Sequence, residues 1–351
     1  MKKWAVAVAA ILLLFTGCSN NKETVKKPVN NEKPDTNQAN KPDDVVKADP
    51  YFYPLTGIAT DTKPDQRAVA VMVNNHPKAR PQSGLNKADI VYEILAEGNI
   101  TRFLAVFQSE KPTNIGPVRS ARVYYINLAK GLNALYIAHG YSPEAKKLLD
   151  SNYVDNLNGM VYDGTLFKRS SARKPPHNSY ITYANILKGA ELKGYTMKGS
   201  PPAFTFYSVE ESKSLTGQEA KSVSITYSKD GTFNSKFQYD ETLGKYKRYS
   251  AGEQTVDLET GDPILVDNVF IIEAVHKTID AYGLRDINLE SGGKAYLLQK
   301  GKVNEVEWAN KNGRIIPVKN GEEIPLVQGK TWVNVVPTNP GIHSSISFNV
   351  Q

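Results

Sequence analysis

Arg119 and Arg122 stand three residues apart in Gly116-Pro117-Val118-Arg119-Ser120-Ala121-Arg122, the run in this 351-residue chain with the most chemical potential. Ala121, Tyr125, Leu128 and Leu132 recur at helical spacing, so a helix is expected from about Ser120 to Gly131, with Ser120 as its N-cap. The first turn of a helix carries partial positive charge and free N–H groups. A cation placed there costs about 0.3–1 kcal/mol unless a negative charge answers it. The answer is either an internal carboxylate, Glu93 or Glu97, or an external anion held by the guanidinium forks. Arg119 and Arg122, with Arg102 and Arg173, are therefore candidate anion ligands. His76 and His177 join them as candidate ligand-binding residues, because both fall in loop-like segments, Asn74-Asn75-His76-Pro77 and Pro175-Pro176-His177-Asn178.

Other chemistries find less support. No histidine pair has the spacing of a metal motif, and a zinc site from His76, His139 and His177 would need the fold to bring all three together. No metal or cofactor is expected. The chain lacks a G-x-S-x-G elbow and a G-x-x-x-x-G-K-[ST] loop. Asp89, Glu93 and Glu97 recur every four residues. On a regular strand they would share one face with Val91 and Leu95, placed to hold a cation or to pair with the arginines.

The elements that must position these residues are legible from pattern. β-rich runs occupy 67–73, 89–95, 102–108 and 134–138, with Glu97-Gly98-Asn99 as a hairpin turn. Helices are expected at Pro143–Asp150, with proline in the first turn, and at Thr182–Lys193, closed by Gly194. After Pro201-Pro202 glycine turns recur between β-branched and aromatic runs such as 269–275 and 331–336. The expected fold class is α+β: an N-terminal α/β-type domain over 51–200, then a mostly antiparallel, β-rich domain over 201–351. Hydrophobic residues at 40% and charged residues at 23% exclude global disorder, and a single cysteine excludes a disulfide framework.

That cysteine ends a distinct N-terminal segment. Lys2 and Lys3 precede a twelve-residue apolar run closing in Phe15-Thr16-Gly17-Cys18. The run is too short to span a bilayer and suits a secretory signal. Gly17-Cys18 reads as a lipobox, with Phe15 standing where leucine is usual. Residues 1–18 are thus expected to be a lipoprotein signal peptide, Cys18 the lipidation site, and 19–50 a disordered tether with six basic and six acidic residues. Two acyl chains would hold the protein on the outer face of the cytoplasmic membrane. Between Arg102 and Pro175 eleven lysines and arginines face five aspartates and glutamates. Such a surplus attracts anions, here an envelope polymer or a lipid phosphate. Nucleic acid is not an expected partner at that address.

The chain resembles the YerB-type family of Gram-positive lipoproteins. The resemblance rests on Asn75-His76-Pro77-Lys78-Ala79-Arg80-Pro81-Gln82-Ser83-Gly84-Leu85, Ala88-Asp89-Ile90-Val91-Tyr92-Glu93, the Gly116–Arg122 run, Pro176-His177-Asn178 and Gly329-Lys330-Thr331-Trp332-Val333-Asn334-Val335-Val336-Pro337. It spans about residues 51–340. It implies two domains and a membrane address, and no catalytic residues. A fainter similarity to LytR-CpsA-Psr phosphotransferases rests on Pro117-Val118-Arg119 with Arg169 and Arg173. Ser120 stands where that family carries an acidic residue. The reading is a non-enzymatic binding or interaction module for an anionic envelope component or a protein partner; the alternative is an envelope enzyme acting on a lipid-linked phosphate or wall polymer.

Overall fold

The computed structural model describes residues 50–349. The expectations for Cys18, for the signal peptide and for all but the last residue of the tether fall outside them.

The fold is α+β, and a thirteen-stranded mixed sheet is its backbone. The strands used below are β1 (Val69–Asn74), β2 (Ile90–Glu97), β3 (Ile100–Phe107), β4 (Leu135–Ala138) and β5 (Asn156–Asn158). After residue 200 come β6 (Ser222–Ile225), β7 (Ser235–Asp240), β8 (Lys245–Ser250), β9 (Asn268–Thr278), β10 (Gly293–Gln299), β11 (Lys302–Lys311), β12 (Arg314–Lys319), β13 (Thr331–Pro337) and β14 (Ile346–Asn349). The large sheet runs β12-β11-β10-β9-β13-β2-β3-β1-β4-β5. Its N-terminal part carries parallel strands and helices, with β1, β4 and β5 parallel. The later part is mostly antiparallel. The two parts meet where β13 lies parallel between β9 and β2, so strands from both sides of residue 200 share one hydrogen-bonded sheet. These central strands are apolar on both faces, as interior strands must be.

Helices α1 (Val123–Gly131) and α2 (Pro143–Asp150) cover one face of this sheet. The other face packs against α3 (Tyr183–Lys193) and a second, six-stranded sheet containing β8-β7-β6-β14. Trp332 on β13 joins the two sheets, meeting Phe103 edge-on at 5.1 Å and Phe237 at 6.0 Å. Such aromatic contacts add about 0.5–1.5 kcal/mol beyond the area they bury.

Local signals set most boundaries. Ser142 accepts the Ala145 N–H and Pro143 opens α2; Thr182 accepts the Asn185 N–H, and Gly194 at φ 68° closes α3. Helix α1 departs from expectation. It begins at Val123, with Arg122 in the N-cap position and no side-chain cap, so Ser120 is not its cap. Residues 116–121 are drawn into backbone hydrogen bonds with neighbouring strand ends instead, which removes the expected first turn.

Candidate anion-binding site

The segment 116–121 crosses the C-terminal ends of β1 and β4. The Asn74 N–H donates to Pro117 O at 2.8 Å, the Arg119 N–H to Met72 O at 3.0 Å and the Ala121 N–H to Gly140 O at 2.9 Å. Gly116 has φ 153°, and a Cβ there would lie 2.8 Å from Ser179 O, so only glycine fits ahead of Pro117. This edge, where loops leave parallel strands, is where open α/β sheets commonly place ligands.

Asn74, the last residue of β1, organises two histidines. Its Oδ1 accepts the His76 N–H at 2.9 Å, which leaves its Nδ2 to donate to His177 Nδ1 at 2.9 Å. His76 Nδ1 accepts the Lys78 N–H at 3.2 Å. Both Nδ1 atoms are thereby acceptors, and each neutral ring keeps its proton on Nε2. The rings stack with centroids 4.4 Å apart. Burial, followed by Lys78, Arg80 and Arg119, holds His76 below the ordinary imidazole value. Burial, followed by His76 and Arg119, does the same for His177. At neutral pH both rings are uncharged N–H donors.

Arg119 completes the group. It is half-buried, its Nη1 reaches Pro176 O at 3.5 Å, and its Nε is buried without an acceptor. Loss of solvent, then the neighbouring Arg102, lowers its pKa to about 10, so it stays charged at neutral pH. Among the described residues no carboxylate pairs with it.

The other predicted arginines do different work. Arg102 and Arg122 both bond to Glu97: Arg102 Nη2 lies 2.6 Å from Glu97 Oε2, and Arg122 Nη2 pairs with Glu97 Oε1. Each also donates to backbone, Arg102 to Ser120 O and Arg122 to Ala121 O, while Arg122 Nε is buried without an acceptor. Of the two answers the sequence left open, the internal carboxylate Glu97 is the one these two guanidiniums meet. Arg173 donates to Ala79 O, Pro81 O and Tyr180 Oη, bracing the loop that carries His76.

Glu93 is fully buried in a second network, which meets the His76 loop through Asn75. It accepts from Arg248 Nη2 at 3.0 Å, Trp332 Nε1 at 3.1 Å and Ser235 Oγ at 3.0 Å. Arg248 is itself buried, with its guanidinium 4.5 Å over the Trp332 ring. Glu93 and Glu97 are thus internal counter-charges rather than ligand contacts. They do not share a face either, because a β-bulge between Leu95 and Glu97 turns Glu97 toward α1.

Sequence reasoning missed Asn74, Lys78 and Arg80 as neighbours of the histidines; Asn74-Asn75-His76-Pro77 at a strand end was the available signal. It also missed Arg248, which nothing in Lys245-Tyr246-Lys247-Arg248-Tyr249 marks as buried. His139 sits apart from the stacked pair. Its Nδ1 lies 2.7 Å from Ser179 Oγ, and Arg169, forked on Asp163, donates to its Nε2 at 2.9 Å. Ser179 is 1% exposed, so its hydroxyl does not face solvent. Among the described residues no cluster of three or more His, Cys, Asp or Glu converges to hold a metal.

The protein is thus a two-sheet α+β body with parallel strands at one end of its large sheet. Residues 55–196 match the model for the protein of unknown function (DUF3048) N-terminal domain, and residues 223–333 match the DUF3048 C-terminal domain. The chain belongs to the DUF3048 family. It is 47% identical over 341 residues, 96% of each chain, to the protein described as "Putative lipoprotein YerB" from Bacillus subtilis (strain 168). The crystal structure of the YerB protein from Bacillus subtilis matches it with a TM-score of 0.79 at 48% identity, over 85% of this chain and 99% of that one. The resemblance read from the sequence motifs holds.

Proposed function

We propose that this protein is a lipoprotein anchored through Cys18 on the outer face of the cytoplasmic membrane, and that it binds an anionic envelope component at Arg119, His76 and His177. The observation that carries this reading is Arg119: a charged, half-buried guanidinium without a carboxylate, beside two imidazoles that each retain an Nε2–H donor. A phosphoryl or carboxylate oxygen supplies the missing acceptors and the missing charge together. The groups around Arg119 are donors, which favours holding an anion over acting on it. The lipid anchor rests on Gly17-Cys18 in this sequence and on the lipoprotein description of the relative.

The test is thermal denaturation of the full chain in sulfate, phosphate and chloride at equal ionic strength. A ligand at 100 times its dissociation constant stabilises the native state by about 2.7 kcal/mol. Sulfate and phosphate should raise the midpoint by several degrees over chloride, and Arg119→Ala should abolish the difference. Equal midpoints in all three salts would sink the proposal.

A further inference from the structure

The basic site continues past His76 into a larger feature. Phe233 meets His76 edge-on at 6.5 Å, and the Arg80 guanidinium lies 5.6 Å over the same Phe233 ring. Arg80 donates to Asn75 O at 3.0 Å and to Thr232 O at 2.9 Å, tying the loop after β1 to the turn between β6 and β7. Beyond this junction opens a groove of about 910 Å³, between residues 77–82 and the second sheet. Its wall carries Ser224, Gln238, Tyr249 and Gln254, which offer hydroxyl, amide and phenol groups. Its charges nearly cancel. Lys236 and Arg80 are set against Asp230 and Glu253, and Glu93 answers Arg248. Arg80, on the groove's border, is also one of the cations facing His76, with Lys78 and Arg119.

We infer that site and groove together hold one extended ligand: a polyhydroxylated chain, glycan or polyol, bearing a single anionic phosphoryl or carboxylate group at one end. This rests on the anion-binding reading of Arg119 and specifies what the anion is attached to. The anionic end lies at Arg119, and the uncharged hydroxylated part lies along β7 and β8. A groove of this volume is in the range that holds a whole organic ligand, far beyond a lone phosphate. An acyl chain is a poor fit, since it would strip water from the wall's amides and hydroxyls without replacing their hydrogen bonds. A chain charged at every unit would meet Asp230 and Glu253. A hydroxylated chain satisfies the wall, and Tyr249 gives its C–H faces a surface.

Calorimetric titration of the full chain decides this with four probes: inorganic phosphate, a monosaccharide phosphate, a tetrasaccharide carrying one terminal phosphate, and sorbitol 6-phosphate. At least one phosphate-ended chain should bind tenfold or more tightly than inorganic phosphate; the tetrasaccharide identifies a glycan, and sorbitol 6-phosphate an acyclic polyol. Tyr249→Ala combined with Gln238→Ala should erase that gain and leave inorganic phosphate binding unchanged, a readout that also reports correct folding. Arg119→Ala should weaken every probe. Chains that bind no tighter than inorganic phosphate, or a gain that survives the groove variant, would overturn the inference and spare the anion site. No binding by any probe would overturn both.

Discussion

Glu93 and Glu97 lie four residues apart on β2 yet serve opposite faces of the sheet, Glu93 meeting Arg248 and Trp332, Glu97 meeting Arg102 and Arg122. One bulge between Leu95 and Glu97 makes the difference. Both carboxylates are thereby committed to internal partners, and Arg119 is left to the loop histidines.

Glu93→Gln keeps the shape of the side chain and removes its charge. Arg248 would then be a fully buried cation without a counter-ion, a situation that costs about 3–5 kcal/mol. Urea unfolding followed by tryptophan fluorescence should show a loss of unfolding free energy of that size. A loss below about 1 kcal/mol would mean the neighbouring hydroxyls and the Trp332 ring suffice for Arg248.

Glu97→Gln and Arg119→Ala should separate stability from binding. The first leaves Arg102 and Arg122 uncompensated and is expected to destabilise by about 3 kcal/mol while sulfate still raises the melting midpoint. The second removes a desolvated cation that has no carboxylate, so the midpoint in chloride should hold or rise while the sulfate effect disappears. A sulfate response lost in Glu97→Gln and kept in Arg119→Ala would place the anion elsewhere.

Acidification should act on folding and on binding in opposite directions. His76 and His177 titrate below their unfolded value of about 6.5. As pH falls through 6.5 the unfolded chain takes up protons first, so their contribution to stability is complete above that pH and declines below it. His139, also lowered by burial and Arg169, and His276, lowered to about 4 by burial, add to the same decline. Sulfate keeps its charge over this range, so protonating the rings beside Arg119 should tighten its binding as pH falls through their lowered folded values. Calorimetry at pH 7.5 and 5.5 checks this, and His76→Gln with His177→Gln should flatten the sulfate dependence while most of the stability decline remains.

Gly329 explains part of the Gly329-Lys330-Thr331-Trp332 motif. Its φ is 133°, and a Cβ would clash with Asp267 Oδ2, which accepts the Lys330 N–H at 2.8 Å. Gly329→Ala should lower stability by about 1–3 kcal/mol in thermal denaturation, without changing sulfate binding.

Much of the fold was legible because local chemistry decided it. Ser142-Pro143 and Thr182 with Gly194 fix α2 and α3 from within a few residues. The start of α1 was not legible, since the partners that hold 116–121 extended, Met72 on β1 and Gly140 just after β4, lie elsewhere in the chain. The face of Glu97 was hidden for a related reason: period-two reading assumes an unbroken ladder, and a bulge leaves no mark in Glu93-Ile94-Leu95-Ala96-Glu97. At the site, the loop position of His76 and His177 and the Gly116-Pro117 context of Arg119 were readable one by one. Their convergence was not, because it depends on Asn74 and on chain segments about a hundred residues apart.

The parallel pairing of β13 with β2 also sets a timetable. Residues 331–335 bond to residues 90–94, so β2 lacks one of its two neighbours until β13 is available. A polypeptide leaving a ribosome or a membrane pore N-terminus first would carry that open strand edge, and the unmet Phe103 beside it, through most of its emergence. Closure of the large sheet therefore waits on residues 331–335, and until they pair β2 keeps one edge open.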